Sequence, residues 1–177
     1  RAVEMLNYNY HINSNFNVVN LRLFSVYGKN QRPDLVLYKF INLISNNQPI
    51  EIYGNADTTR DYTYIDDIVN AFISSIEFLK TSDSNVYEII NIGNDNPISL
   101  QQLIDLITKT TKRNDIKIVE TKFVKGEVTN THADIDKARR LLNYKPNITI
   151  DYGIKQFYEW FEKNGIKGVK NSIDKTA

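Results

Sequence analysis

Two short apolar runs constrain this chain most: Val18-Val19-Asn20-Leu21-Arg22-Leu23-Phe24 and Tyr87-Glu88-Ile89-Ile90-Asn91-Ile92. Both read as strands buried on two faces, with Arg22 the exception in the first. Between them Ile65, Ile68, Val69, Phe72, Ile73 and Ile76 recur at offsets of three and four, which predicts a helix buried along that stripe. Thr63 followed by Asp66 fits a capping box at its start. A strand, a helix and a second strand of this kind make a parallel α/β unit. Two doubly covered strands also need strand neighbours, and the chain supplies few, so part of the sheet is expected to be missing.

The remaining segments continue the alternation. Val3, Leu6 and Tyr10 share one helix face, and the chain, which begins at Arg1 without Met, is expected to start inside that helix. Leu35 to Ser45 reads as a helix with Pro33 and Asp34 suited to its first turn and Asn46 and Asn47 after its end. Pro49 to Tyr53 is a short strand closing at Gly54-Asn55, and Thr58 to Tyr64 is strand-like, the two forming either a ribbon or separate edges. Ser99 with Gln102 caps a helix buried through Leu100, Leu103, Ile104 and Ile107, and Ile116 to Glu120 follows as a strand. Asp134 to Leu142 and Ile150 to Lys163 are further helices, with Asn143 suited to a left-handed helix end, and a mobile tail is expected from Lys167. No repeat, low-complexity stretch or clear linker divides the chain.

Composition narrows the function. Lys plus Arg number 22 against 21 Asp plus Glu, so no global field draws in nucleic acid or an anionic membrane. The chain has no cysteine, and its only histidines, His11 and His132, have no metal-ligand spacing, so neither thiol chemistry nor a metal is expected. Thr63, Asp66 and Asp67 read as helix-start residues near the positive dipole end. No apolar run approaches the roughly 18 residues that span a bilayer, and no signal-peptide layout opens the chain, so a cytoplasmic protein is expected.

Several motifs occur in order: Leu21-Arg22-Leu23-Phe24-Ser25-Val26-Tyr27-Gly28, Arg32-Pro33-Asp34, Arg60-Asp61-Tyr62-Thr63-Tyr64-Ile65-Asp66-Asp67-Ile68, Asn91-Ile92-Gly93-Asn94, Gly126-Glu127-Val128, Thr131-His132-Ala133-Asp134-Ile135 and Tyr144-Lys145-Pro146. Together they resemble the extended short-chain dehydrogenase/reductase family, the NAD-dependent nucleotide-sugar epimerases and dehydratases, and within it the UDP-glucuronate 4-epimerases. The resemblance implies an α/β fold in which residues 1–166 form the C-terminal part of a Rossmann-like parallel sheet with a small α/β substrate-binding domain. Neither a Gly-x-Gly-x-x-Gly turn nor a Tyr-x-x-x-Lys pair occurs in the chain. The family spacing places that Lys just before Arg1. The resemblance therefore implies NAD in the full-length enzyme and a fragment that neither binds NAD nor catalyses by itself. It also implies a homodimer through the N-terminal helix, Arg1 to Asn13.

The same resemblance distributes roles. Arg60 is the candidate for the substrate diphosphate, against an ordinary ion pair with Asp61 or Asp66. Arg32 and Ser25 match the pair that grips the sugar carboxylate, although Ser25 stands where that subgroup has Thr, and a solvated loop and a small strand-end residue are the bland alternatives. Phe24, Ser25 and Val26 match the strand end facing the nicotinamide, where plain core residues look the same. Glu51 and Tyr53 match the edge that meets the uracil. Glu127, where the family usually has Asp, matches a ribose contact. Rival readings are a dTDP-glucose 4,6-dehydratase, an epimerase of neutral UDP-hexoses, or a non-catalytic nucleotide-sugar-binding domain.

Overall fold

The computed structural model describes residues 1–54, 56–82, 85–122, 126 and 128–173. Its elements are α1 (Ala2–Ser14), β1 (Val18–Leu23), β2 (Ser25–Tyr27), α2 (Val36–Ser45), β3 (Ile50–Tyr53), β4 (Thr59–Arg60), β5 (Tyr62–Tyr64), α3 (Ile65–Thr81), β6 (Tyr87–Ile92), β7 (Ile98–Ser99), α4 (Leu100–Thr111), β8 (Ile118–Thr121), α5 (Asp136–Leu142) and α6 (Ile150–Ile173). They fall into two units, each assembled from three separate stretches of chain. No single linker marks the division, which is why none is visible in the sequence.

The first unit holds residues 1–26, 61–96 and 132–147. β1 runs parallel to β6, Val18 opposite Tyr87 through Leu23 opposite Ile92, and α3 supplies the connection a parallel pair requires. Strand alternation sends Val19 and Leu21 to one face. There they pack with Ile90 and Ile92 against Ile68 and Ala71 of α3 and Ala138 and Leu142 of α5. The opposite face is polar. Arg22 meets Glu4 of α1 through Nε at 2.7 Å and Nη2 at 2.8 Å, Asn7 Nδ2 donates to Asn20 Oδ1 at 2.6 Å, and Tyr87 Oη donates to the Glu4 carbonyl at 2.8 Å. Arg22, the misfit of the apolar run, is thus the residue that anchors α1.

The expected helix face of Val3 (67% exposed), Leu6 and Tyr10 points outward, while α1 docks through Glu4, Asn7 and His11, one turn apart on a polar stripe. Two expectations are corrected in this unit. First, α3 buries Asp67, Ile68, Ala71 and Ser75, and its larger apolar residues Val69, Phe72, Ile73 (54% exposed) and Ile76 point away. Second, α3 has Tyr64 at its N-cap with no side-chain capping bond, and Thr63 is fully buried one position too early to cap. β1 is also less covered than its sequence suggests: Leu23 is exposed, and β6 is its only strand neighbour among the described residues.

The second unit holds residues 27–60, 97–131 and 148 onward. β3 pairs in parallel with β8, Ile50 opposite Ile118 through Tyr53 opposite Thr121. β4 pairs antiparallel with β7, while β5, which belongs to the first unit, pairs with β2, so the Thr58 to Tyr64 stretch is two separate edges divided at Asp61 rather than a ribbon with β3. Leu37, Phe40 and Ile41 of α2, Leu103 and Ile107 of α4 and Ile154, Phe157 and Phe161 of α6 are buried. Tyr38 stacks edge-on with Phe157 and Phe161 and donates its hydroxyl to the Gly165 carbonyl at 3.0 Å. The capping box forms as expected: Ser99 Oγ accepts from the Gln102 amide and Gln102 Oε1 from the Ser99 amide. Asn143 adopts the expected left-handed conformation, φ 49°. The last helix stays helical through Ile173, beyond both Lys163 and Lys167.

Candidate functional site

Asp61 lies in the most distinctive motif and is fully buried. Its Oδ1 accepts from the Asn94 amide at 2.8 Å, and its Oδ2 accepts from the amides of Asp95 at 3.1 Å and Ala133 at 2.9 Å. A buried carboxylate is tolerable only with such donors. Gly93 completes the arrangement, since a Cβ there would stand 2.2 Å from the Ala133 Cβ. The Tyr144 hydroxyl donates to the Gly93 carbonyl at 3.0 Å, and burial, with Asp67 and Asp61 behind it, pushes that phenol up. The three motif segments around Asp61, Gly93 and Ala133 are therefore one hydrogen-bonded junction. Sequence reasoning assigned Asp61 no role beyond a surface partner for Arg60, because the donors that satisfy it are remote in the chain.

In the second unit Arg60 points its guanidinium at main-chain carbonyls. Nη1 donates to Thr59 O at 2.9 Å and Thr129 O at 3.0 Å, and Nη2 to Val128 O. The alternative ion pair with Asp61 does not form, since the Asp61 carboxylate accepts from the first unit's amides. Arg32 is 74% exposed and sits 3.2 Å from Asp34, which keeps a planar cation at the surface. β3 alternates, with Ile50 and Ile52 buried and Glu51 and Tyr53 exposed. Both candidate base contacts thus share one open face, Tyr53 being 45% exposed. Glu127 lies outside the described residues.

Phe24 and Val26 pack against the first unit's core. The Phe24 amide donates to Ile92 O at 3.0 Å and the Ser25 amide to Asp61 O at 3.1 Å. Ser25 is half-buried. For a dinucleotide these residues offer one strand end. At the far side of the junction, Asp95 Oδ1 is 2.8 Å from His132 Nε2 and Asp95 Oδ2 is 2.9 Å from Arg139 Nη2. The His132 contact first, then Arg139, holds the Asp95 carboxyl below its ordinary value. Among the described residues no cluster of His, Asp and Glu could hold a metal ion, and no helix is long and apolar enough to cross a membrane.

The family model described as GDP-mannose 4,6 dehydratase matches residues 1–157. The chain belongs to that family. It is 40% identical over 169 residues to a UDP-glucuronate 4-epimerase from Thermodesulfobacterium geofontis, covering 93% of this chain and 49% of that protein. A UDP-glucuronic acid 4-epimerase from Bacillus cereus, solved with UDP-glucuronic acid and NAD, superposes with a TM-score of 0.83 at 34% identity, over 90% of this chain and 50% of that one. A UDP-glucose 4-epimerase from Thermotoga maritima, solved with UDP-glucose, gives the same TM-score of 0.83 at 27% identity, covering 92% of this chain and 51% of that one. The chain spans about half the length of the relatives it matches. The expected α/β, Rossmann-like architecture is therefore found, as part of the fold these epimerases share.

Proposed function

We propose that this chain is the substrate-binding part of an NAD-dependent UDP-sugar 4-epimerase, with UDP-glucuronate as its sugar nucleotide, and that it is inactive by itself. The observation carrying the reading is the exposed Arg32 guanidinium after a strand end bearing Ser25, within a chain 40% identical to a UDP-glucuronate 4-epimerase. A carboxylate matches the planar fork of an arginine with two parallel hydrogen bonds, and the Asp34 carboxylate now beside Arg32 stands in for such a partner. Arg60 serves the diphosphate, Glu51 and Tyr53 the uracil, and Glu127 the ribose. NAD, bound in the full-length epimerase, would supply the redox chemistry at the sugar C4. This chain's residues contribute binding and orientation only, because a Tyr-x-x-x-Lys pair does not occur in it.

The outward-facing Val3, Met5, Leu6 and Ile12 of α1 support a homodimer through that helix, since contiguous exposed apolar residues are characteristic of association surfaces. Residues 1–166 are read as one substrate-binding half.

Calorimetric titration with UDP-glucuronate, UDP-glucose and NAD tests the function. The expected result is binding of both UDP-sugars but not NAD, with UDP-glucuronate tighter, and with that preference lost in Arg32→Gln. Equal affinity for the two sugars in the unaltered chain would remove the uronate assignment and favour a neutral-sugar epimerase like that of T. maritima.

A further inference from the structure

The segment after position 127 is attached to β4 by little main chain. The Thr59 amide donates to Thr129 O at 3.0 Å, the Thr131 amide donates to Thr59 O at 3.1 Å, and Thr59 Oγ1 donates to Asn130 Oδ1 at 2.9 Å. Residues 128–130 are exposed, so water competes for each of these bonds. The Arg60 guanidinium adds its bonds to Val128 O and Thr129 O. Two consecutive carbonyls converge on one cation, and bonds to a charged donor are about twice as strong as neutral ones.

A guanidinium is planar and carries five donors in a rigid fork. With Nη1 and Nη2 engaged by Thr129 and Val128, the rigid plane of the group leaves Nε as the nitrogen for a further acceptor. We propose that Arg60 is a positioning residue: it fastens residues 128–131 to β4 with one end, and thereby holds its Nε edge oriented for the phosphates of a nucleoside diphosphate. Ligand binding and ordering of the segment then reinforce each other, as two events coupled through one group must. The phosphate half of this inference rests on the proposed function; the fastening does not.

Amide hydrogen exchange at Thr59 and Thr131 tests it in the 177-residue chain, free and with UDP, for the unaltered protein, Arg60→Lys and Arg60→Ala. Without UDP, both variants are expected to exchange roughly tenfold faster at these amides. The Leu103 and Ile107 amides of α4 report the intact fold and stay unchanged. Saturating UDP slows exchange at Thr59 and Thr131 in the unaltered protein only. Unchanged exchange in Arg60→Ala overturns the fastening, and if UDP affinity falls at the same time the phosphate reading still stands. Faster exchange with full UDP affinity overturns the coupling and removes Arg60 from the phosphate site. If Arg60→Ala unfolds, Asn130→Ala decides, because it loosens the segment without touching the guanidinium. Several-fold weaker UDP binding in that variant supports the coupling, and unaltered binding overturns it.

Discussion

The Asp61 carboxylate accepts the main-chain amide of Ala133 at 2.9 Å, 72 positions further along the chain. With the amides of Asn94 and Asp95 on the same carboxylate, this bond joins three motifs that the sequence separates. The motif residue beside Arg60 is thus a structural organiser of the first unit.

Replacing Asp61 with Ala leaves three amides without their acceptor, at roughly 1 kcal/mol or more each. Urea unfolding is expected to show a loss of about 3 kcal/mol. Asp61→Asn keeps one acceptor oxygen and turns donors toward donors, so it recovers less than half of that loss. An Asp61→Ala midpoint equal to that of the unaltered chain would show that the junction contributes nothing.

Gly93→Ala places a methyl 2.2 Å from the Ala133 Cβ and within 3.2 Å of Asp61 Oδ2. Both neighbours belong to the buried junction and cannot swing aside. Overpacking of this kind costs about 1–3 kcal/mol, read as a lowered midpoint in the same assay. Gly126→Ala, with open space around the added methyl but a φ of +96°, is expected to cost only backbone strain, about 1 kcal/mol.

The Asp95 carboxyl is held below its ordinary 3.8 chiefly by His132, then by Arg139. Its folded pKa is depressed, so its stabilising contribution is present above the unfolded carboxylate pKa and is lost as pH falls through the folded one. Asp95→Asn is therefore expected to lower stability slightly at pH 7, with the difference shrinking below about pH 4. Because the groups are surface-exposed, 1 M salt also narrows it. Chemical denaturation of both proteins between about pH 4 and pH 2 is the check, and a difference that grows as pH falls through that window would contradict the assignment.

Val3→Lys with Leu6→Lys places two charges on the outward face of α1 while leaving its docking stripe of Glu4, Asn7 and His11 intact. If α1 is the dimer surface, sedimentation is expected to show a monomer where the unaltered chain self-associates, with helix content unchanged. Persistence of the dimer in the double variant would place the contact elsewhere.

Much of the fold was legible because it depends on local chemistry. The Ser99–Gln102 capping box needs only two residues three apart, and Asn143 only a backbone that tolerates positive φ. The face of α3 was read the wrong way round for a different reason. A stripe such as Val69, Phe72, Ile73 and Ile76 tells that a helix is amphipathic, not that its apolar side meets this sheet. The sheet instead accepts Ala71 and Ser75 of α3 on one side and the polar Glu4, Asn7 and His11 stripe of α1 on the other. Among the proposed site residues, Arg32, Glu51, Tyr53 and Arg60 were legible from the resemblance. The carbonyls that Arg60 meets were not, since Val128 and Thr129 carry no distinguishing side chain.

By itself the sequence determined that strands and helices alternate, where helices 4 and 5 are capped, that no thiol chemistry is available in this chain, and which motifs resemble those of nucleotide-sugar enzymes. These follow from propensity, short-range hydrogen bonding and residue identity. Only the tertiary structure decided that Arg22 is an anchor for α1, that Asp61 binds three remote amides, and that Arg60 grips the segment at Val128 and Thr129. Each of these depends on main-chain donors and acceptors that every residue carries alike, so only folding selects which of them meet.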